Sequence, residues 1–124
     1  MPQPVVHFEI SAKDRAKITD FYSQLFGWQV NADNPMNYGL ASTKDGELSI
    51  DGGIYQQQDE NDTPGVRVYA QVDDAAAYLA KAQELGGTPV QEAMEIPGMG
   101  IIIGMFLDPE GNRFGVIQPL HGHG

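Results

Sequence analysis

Cysteine is absent from the 124-residue chain. That removes disulfide scaffolds, cysteine nucleophiles and thiolate zinc sites together. Long apolar runs are absent as well, and none approaches the ~20 residues that a bilayer-spanning helix needs. Basic residues are scarce: 7 Lys+Arg stand against 17 Asp+Glu, a net charge of −10 with neutral histidines. Such a surface repels nucleic acid and anionic membranes at long range, so neither is expected as a partner. It tolerates or attracts a cationic ligand, although the plainer reading is that the acidity keeps the protein soluble. The opening Met1-Pro2-Gln3-Pro4 has neither the charged nor the apolar region of a secretion signal, which makes the cytoplasm the default expectation. What is present is a globular composition, 41% hydrophobic and 19% charged. It suits a single domain over residues 1–124 that buries a real core.

The chain reads as two similar halves. Val6 to Ile10 and Val66 to Val72 are alternating runs with strand character. A shift of 60 residues (67 − 7) pairs His7 with Arg67, Asp14 with Asp74, Leu25 with Leu85 and Gly27 with Gly87. Each strand leads into an apolar stripe of helical period: Ile18, Phe21, Tyr22 and Leu25, then Ala75, Tyr78, Leu79, Ala82 and Leu85. Asp14 caps the first helix and Gly27 ends it; Asp73 or Asp74 caps the second, which stops at Gly86-Gly87. Strand-like segments follow at 28–31, 38–42 and 48–55, and again at 88–96, 100–107 and 113–118. Asn34-Pro35, Lys44-Asp45-Gly46, Pro97-Gly98 and Asp108-Pro109-Glu110-Gly111-Asn112 are the turns. The stretch 56–63 has no apolar residue and reads as a linker. The expectation is an α+β fold of two tandem βαβββ modules, about 4–57 and 64–119. A single mixed sheet with chance similarity is the plainer alternative.

Strand side chains alternate between faces. Val6, Phe8 and Ile10 share one face of the first strand, and His7, Glu9 and Ser11 the other. In its repeat, Val66, Val68, Ala70 and Val72 share one face, and Arg67, Tyr69 and Gln71 the other. The apolar faces must pack on the helices. The polar faces suit a ligand cleft, and equally a solvated antiparallel sheet. Trp28, Tyr38, Tyr55 and Phe106 could stack on a planar or cationic ligand, and Met36, Met94, Met99 and Met105 could line an adaptable pocket; singly, each suits core packing too.

His7-Phe8-Glu9-Ile10, Asp20-Phe21-Tyr22 with Phe26-Gly27-Trp28, Tyr69 to Asp73, and Phe106 through Phe114 around the Asp-Pro-Glu-Gly-Asn turn together resemble the vicinal oxygen chelate superfamily. That superfamily includes glyoxalase I, bleomycin resistance proteins and extradiol dioxygenases. The resemblance covers nearly the whole chain. It implies paired βαβββ modules contributing to a shared cleft, often in a homodimer, and says little about the reaction.

In metal-dependent members, inward His or Glu side chains from the first and last strands of each module hold a divalent ion. His7 fits the first position. Its repeat partner is Arg67, a permanent cation that cannot ligate. The last-strand position of the second module falls on Gly115, and among 50–55 only Asp51 is a carboxylate. Such a site normally needs about three protein ligands and an open position, so the family's metal site is expected to be absent and no cofactor is expected; Glu9, two residues from His7 on the same face, leaves a different divalent site open, although the two suit a polar pair in a cleft better. The His121-Gly122-His123-Gly124 tail reads as a frayed end that could catch ions loosely.

The expected function is binding of a small organic molecule. Arg67 would meet an anionic or oxygen-rich group, and His7, Glu9, Tyr69 and Gln71 would supply hydrogen bonds. Trp28, Tyr38 and Tyr55 would form apolar walls. The alternatives are a lyase or dioxygenase of the same superfamily, with His7 and Glu9 as proton-transfer groups, and a non-catalytic protein-interaction module.

Overall fold

The computed structural model describes residues 2–33, 38–44, 49–58 and 65–120. Along these residues run β1 (Val5–Ala12), α1 (Arg15–Phe26), β2 (Gln29–Asn31), β3 (Gly39–Ser42), β4 (Gly52–Gln56), β5 (Gly65–Gln71), α2 (Ala75–Glu84), β6 (Thr88–Ile96), β7 (Ile101–Leu107) and β8 (Arg113–Pro119). The order is βαβββ twice. The chain divides into two compact units, Val6–Arg67 and Val68–Gly124, the latter joined by Met1–Val5. The carbonyl of Pro4 accepts from the Gln71 amide at 2.8 Å, which holds the first residues to the C-terminal unit rather than to the module that follows them.

The two units repeat one strand arrangement. In the N-terminal unit the order is β2-β3-β4-β1, with β1 parallel to β4 and the other pairs antiparallel. In the C-terminal unit the order is β6-β7-β8-β5, with β5 parallel to β8 and the rest antiparallel. A parallel neighbour requires a crossover, and the rest of each module supplies it.

The helix ends follow the sequence signals. The Asp14 carboxylate accepts from the Lys17 amide and Asp74, not Asp73, accepts from the Ala77 amide, each at 3.1 Å. Gly27 takes φ +75 and closes α1 with its amide on the Ser23 carbonyl at 2.8 Å. At the end of α2, Gly86 takes φ +102 and the Gly87 amide reaches the Ala82 carbonyl at 2.8 Å. Both glycines supply the left-handed conformation that stops a helix.

Each helix covers the apolar face of its strands, but less completely than the stripes suggest. Val72, Ala75, Leu79 and Val116 form a core cluster, with Tyr78, Ala93, Ile102 and Phe106 packed on it. Leu85, the last residue of the second stripe, is 71% exposed because it caps the helix beyond its last covered turn. Under α1 the contact is made by an aromatic group. Trp28 packs on Tyr22 at 5.3 Å, on Phe26 at 5.3 Å and on Phe8 of β1 at 5.4 Å. Phe21 and Leu25 remain more than half exposed, since the helix turns Tyr22 rather than these residues onto Trp28.

β2 begins at Gln29, one residue after the expected start, and β4 at Gly52 rather than residue 48. Ile50 and Asp51, just before β4, are tied to Thr43 instead, which donates its amide to the Asp51 carboxylate and its hydroxyl to the Ile50 carbonyl. The Asn34-Pro35 and Asp45-Gly46 turns, Met36, Leu48, most of the linker and His121 and His123 lie outside the described residues. The 108–112 turn is built as its residues predict. The Asp108 carboxylate accepts from the amides of Glu110 and Asn112 and from the Asn112 side chain, each at 2.9 Å, and Gly111 takes φ +90. No helix among the described residues is long and apolar enough to cross a membrane.

Candidate functional site

The side chains of β1 divide as the alternation predicts. Phe8 turns to Trp28 and the helix side, and an added Cβ on Gly52, its partner on β4, would meet the Phe8 ring. Glu9 pairs with Gly53, whose added Cβ would meet the Tyr38 ring instead. His7, Glu9 and Tyr38 therefore share the face turned away from α1. Gly53 has no side chain because the Tyr38 ring lies against its backbone. The C-terminal unit repeats the device: Tyr69 pairs with Gly115, and its ring lies where a Cβ on Gly115 would stand.

On this face of the N-terminal unit the polar groups are connected. The Tyr38 hydroxyl donates to Glu9 Oε2 at 2.8 Å and stands 3.0 Å from His7 Nε2. A phenol has one proton to give. With that proton on Glu9, the tyrosine oxygen accepts from His7 Nε2–H, leaving the imidazole lone pair on Nδ1. The two rings stack at 6.2 Å and 25°. The Arg67 guanidinium lies 3.9 Å from Glu9 Oε1. Arg67 and Glu9 are each only 7% exposed. A buried ion pair is stable only when its remaining hydrogen-bonding capacity is met. Burial lowers the His7 pKa from the usual 6.5, and the charge of nearby Asp51 partly opposes that shift.

The structure thus brings His7, Glu9, Tyr38 and Arg67 together, although three stretches of chain supply them. Tyr38, expected as an apolar wall, contributes its hydroxyl as the junction of the group. Tyr55 pairs with Ser11 on β1 and so shares the face of Glu9. Trp28 does not join the group; it packs on Phe8, on the helix side. Tyr69 is 5% exposed against Gly115, and Gln71 is exposed at the end of β5. Sequence reasoning missed Ser11 as a site residue. Its hydroxyl oxygen is buried and has no hydrogen-bond partner, on the face of His7 and Glu9. The alternation of β1 was the signal that could have found it.

Among the described residues the superfamily's divalent ion finds no matching donor set. Among the described residues no group of three or more His, Cys, Asp or Glu side chains could hold a metal ion. Where a second-module ligand would stand there is the Arg67 guanidinium, which repels a cation. Glu9 already faces that guanidinium, and Gly115 faces a tyrosine ring.

The family described as "Glyoxalase-like domain" matches residues 7–117. An anthracycline biosynthesis protein of Streptomyces peucetius is 29% identical over 123 residues; the match covers 88% of this chain and 44% of that protein. The chain thus spans less than half the length of that relative. A glyoxylase-like domain-containing protein of Didymella fabae is 27% identical over 114 residues, covering 87% of this chain and 88% of that protein. Among solved structures, Streptomyces coelicolor methylmalonyl-CoA epimerase superposes with a TM-score of 0.68 at 15% identity, covering 98% of this chain and 97% of that one. At that identity the likeness concerns the fold.

Proposed function

From the premise that this chain belongs to the glyoxalase-like domain family of the vicinal oxygen chelate superfamily, we propose that it binds a small oxygenated organic molecule without a metal ion. The guanidinium of Arg67 takes the anionic or carbonyl oxygen of the guest. Glu9 and Tyr38 orient that guanidinium and offer further hydrogen bonds, and Ser11 donates its unpartnered hydroxyl. One observation carries the reading: Glu9, paired with the buried Arg67, shares a face of β1 with the Ser11 hydroxyl, which is buried and has no hydrogen-bond partner. Burying an unsatisfied hydroxyl is unfavourable, and a polar guest relieves it.

The His7–Tyr38–Glu9 chain favours a second reading, in which the site moves a proton on the bound molecule. His7 is the proton acceptor, since its lowered pKa keeps it neutral near pH 7. Native mass spectrometry with elemental analysis, followed by titration with a panel of small oxo-acids, tests both readings. Binding that falls at least tenfold in Arg67→Gln supports the first. Turnover lost in His7→Gln while binding persists supports the second. One tightly held divalent ion per chain refutes the metal-free site.

A further inference from the structure

The two modules differ in what fills the space beside the C-terminal end of the helix. Tyr22 stands eight residues after its cap Asp14 (22 − 14), and Ala82 stands eight after Asp74 (82 − 74). The residue after the left-handed glycine is Trp28 in the first module and Gly87 in the second. In the first module the indole fills this space, lying nearly parallel to the Tyr22 ring at 5.3 Å and 11°. In the second module both rings are missing and a groove of about 370 Å³ remains. Ala82 and Gly87 line it together with Val72, Phe106, Phe114 and Val116. Its volume is within the ~300–1,000 Å³ of small-molecule sites.

The charges around the groove restrict what fits it. Lys81, in place of Phe21 of the first module, lies at its edge, and none of the ion pairs among the described residues includes it. The one carboxylate in the lining, Asp108, is held by three hydrogen bonds inside its own turn. These bonds lower its pKa and keep it an acceptor turned to its own backbone.

We propose that this groove binds a planar aromatic carboxylate, its ring taking the place that an indole occupies in the sister module and its carboxylate meeting Lys81. The groove's lining shares no residue with the Arg67 group, and the proposal does not rest on that group's function. Indole-3-acetate and its neutral isostere indole-3-acetamide are the probes, titrated into the full chain and followed by methyl NMR. Saturable shifts on Ala82, Leu85 and Val116 are expected. Lys81→Gln weakens the acetate by about three- to five-fold, the range of a partly exposed charge contact, and leaves the acetamide unchanged. Ala82→Phe fills the groove and removes both, while Arg67→Gln changes neither. Absence of saturation up to the solubility limit overturns the proposal. So does equal binding of both probes by wild type and Lys81→Gln, or loss of binding in Arg67→Gln.

Discussion

Replacing Gly53 by alanine tests how the polar group is held together. The new methyl lands on the Tyr38 ring, so the ring must leave the strand. Its hydroxyl then loses Glu9 at 2.8 Å and His7 at 3.0 Å. A neutral hydrogen bond contributes about 0.5–1.5 kcal/mol and one to a charged group about 1.5–3. Alanine restricts the unfolded chain and returns about 0.4–1 kcal/mol, and water replaces part of what Glu9 loses. The net expectation is a destabilisation of about 2 kcal/mol, or roughly 8 °C in melting temperature for a domain of this size. Removing the tyrosine also opens His7 to solvent, so its pKa rises toward 6.5. Urea denaturation reads the first effect and histidine NMR titration the second. Tyr38→Phe keeps the ring but loses both bonds, so adding Gly53→Ala to it should remove little further hydrogen-bond energy. A Gly53→Ala protein within about 0.5 kcal/mol of wild type, with His7 titrating as before, refutes the tyrosine's role as junction.

Gly115→Ala pushes against the Tyr69 ring, which is 5% exposed and has less room to move; an overpacking loss of about 2–3 kcal/mol in urea melts is expected. Asp51→Asn removes the charge that opposes desolvation at His7, so the His7 pKa measured by NMR falls further below 6.5. Because the folded pKa of His7 is depressed, the unfolded chain binds more protons between that value and 6.5. Stability therefore falls as pH drops through 6.5 and levels off below the folded pKa. His7→Gln flattens that part of the pH profile in denaturant melts. Asp74→Ala removes the α2 cap, a loss of about 1 kcal/mol, and differential scanning calorimetry should show a matching drop in melting temperature.

Much of this molecule is legible residue by residue. The caps at Asp14 and Asp74, the stops at Gly27 and Gly86, and the turn at 108–112 depend on groups a few residues apart, so the sequence displays both partners. The division of β1 into a Phe8 face and a Glu9 face follows from alternation alone. The apolar stripe of α1 was legible as a helix but not in its burial. Periodicity shows which side faces inward, and cannot show that Trp28 would pack on Tyr22 and Phe8 and leave Phe21 and Leu25 outside. Trp28 was misplaced for the same reason: an aromatic residue carries no mark of the face it will join.

By itself the sequence determined the doubled strand-helix unit, its ends and turns, and the polar side of its leading strands, because each is written in neighbouring residues. Tertiary structure decided that Tyr38, 29 residues from Glu9 and 31 from His7, would link the two. It decided also that Gly53 would clear the space for that ring, that Ser11 would be left without a partner, and that Ala82 and Gly87 would leave a groove. Such meetings depend on strand register and on how closely backbones approach, and a single residue's slip would turn each side chain to the opposite face.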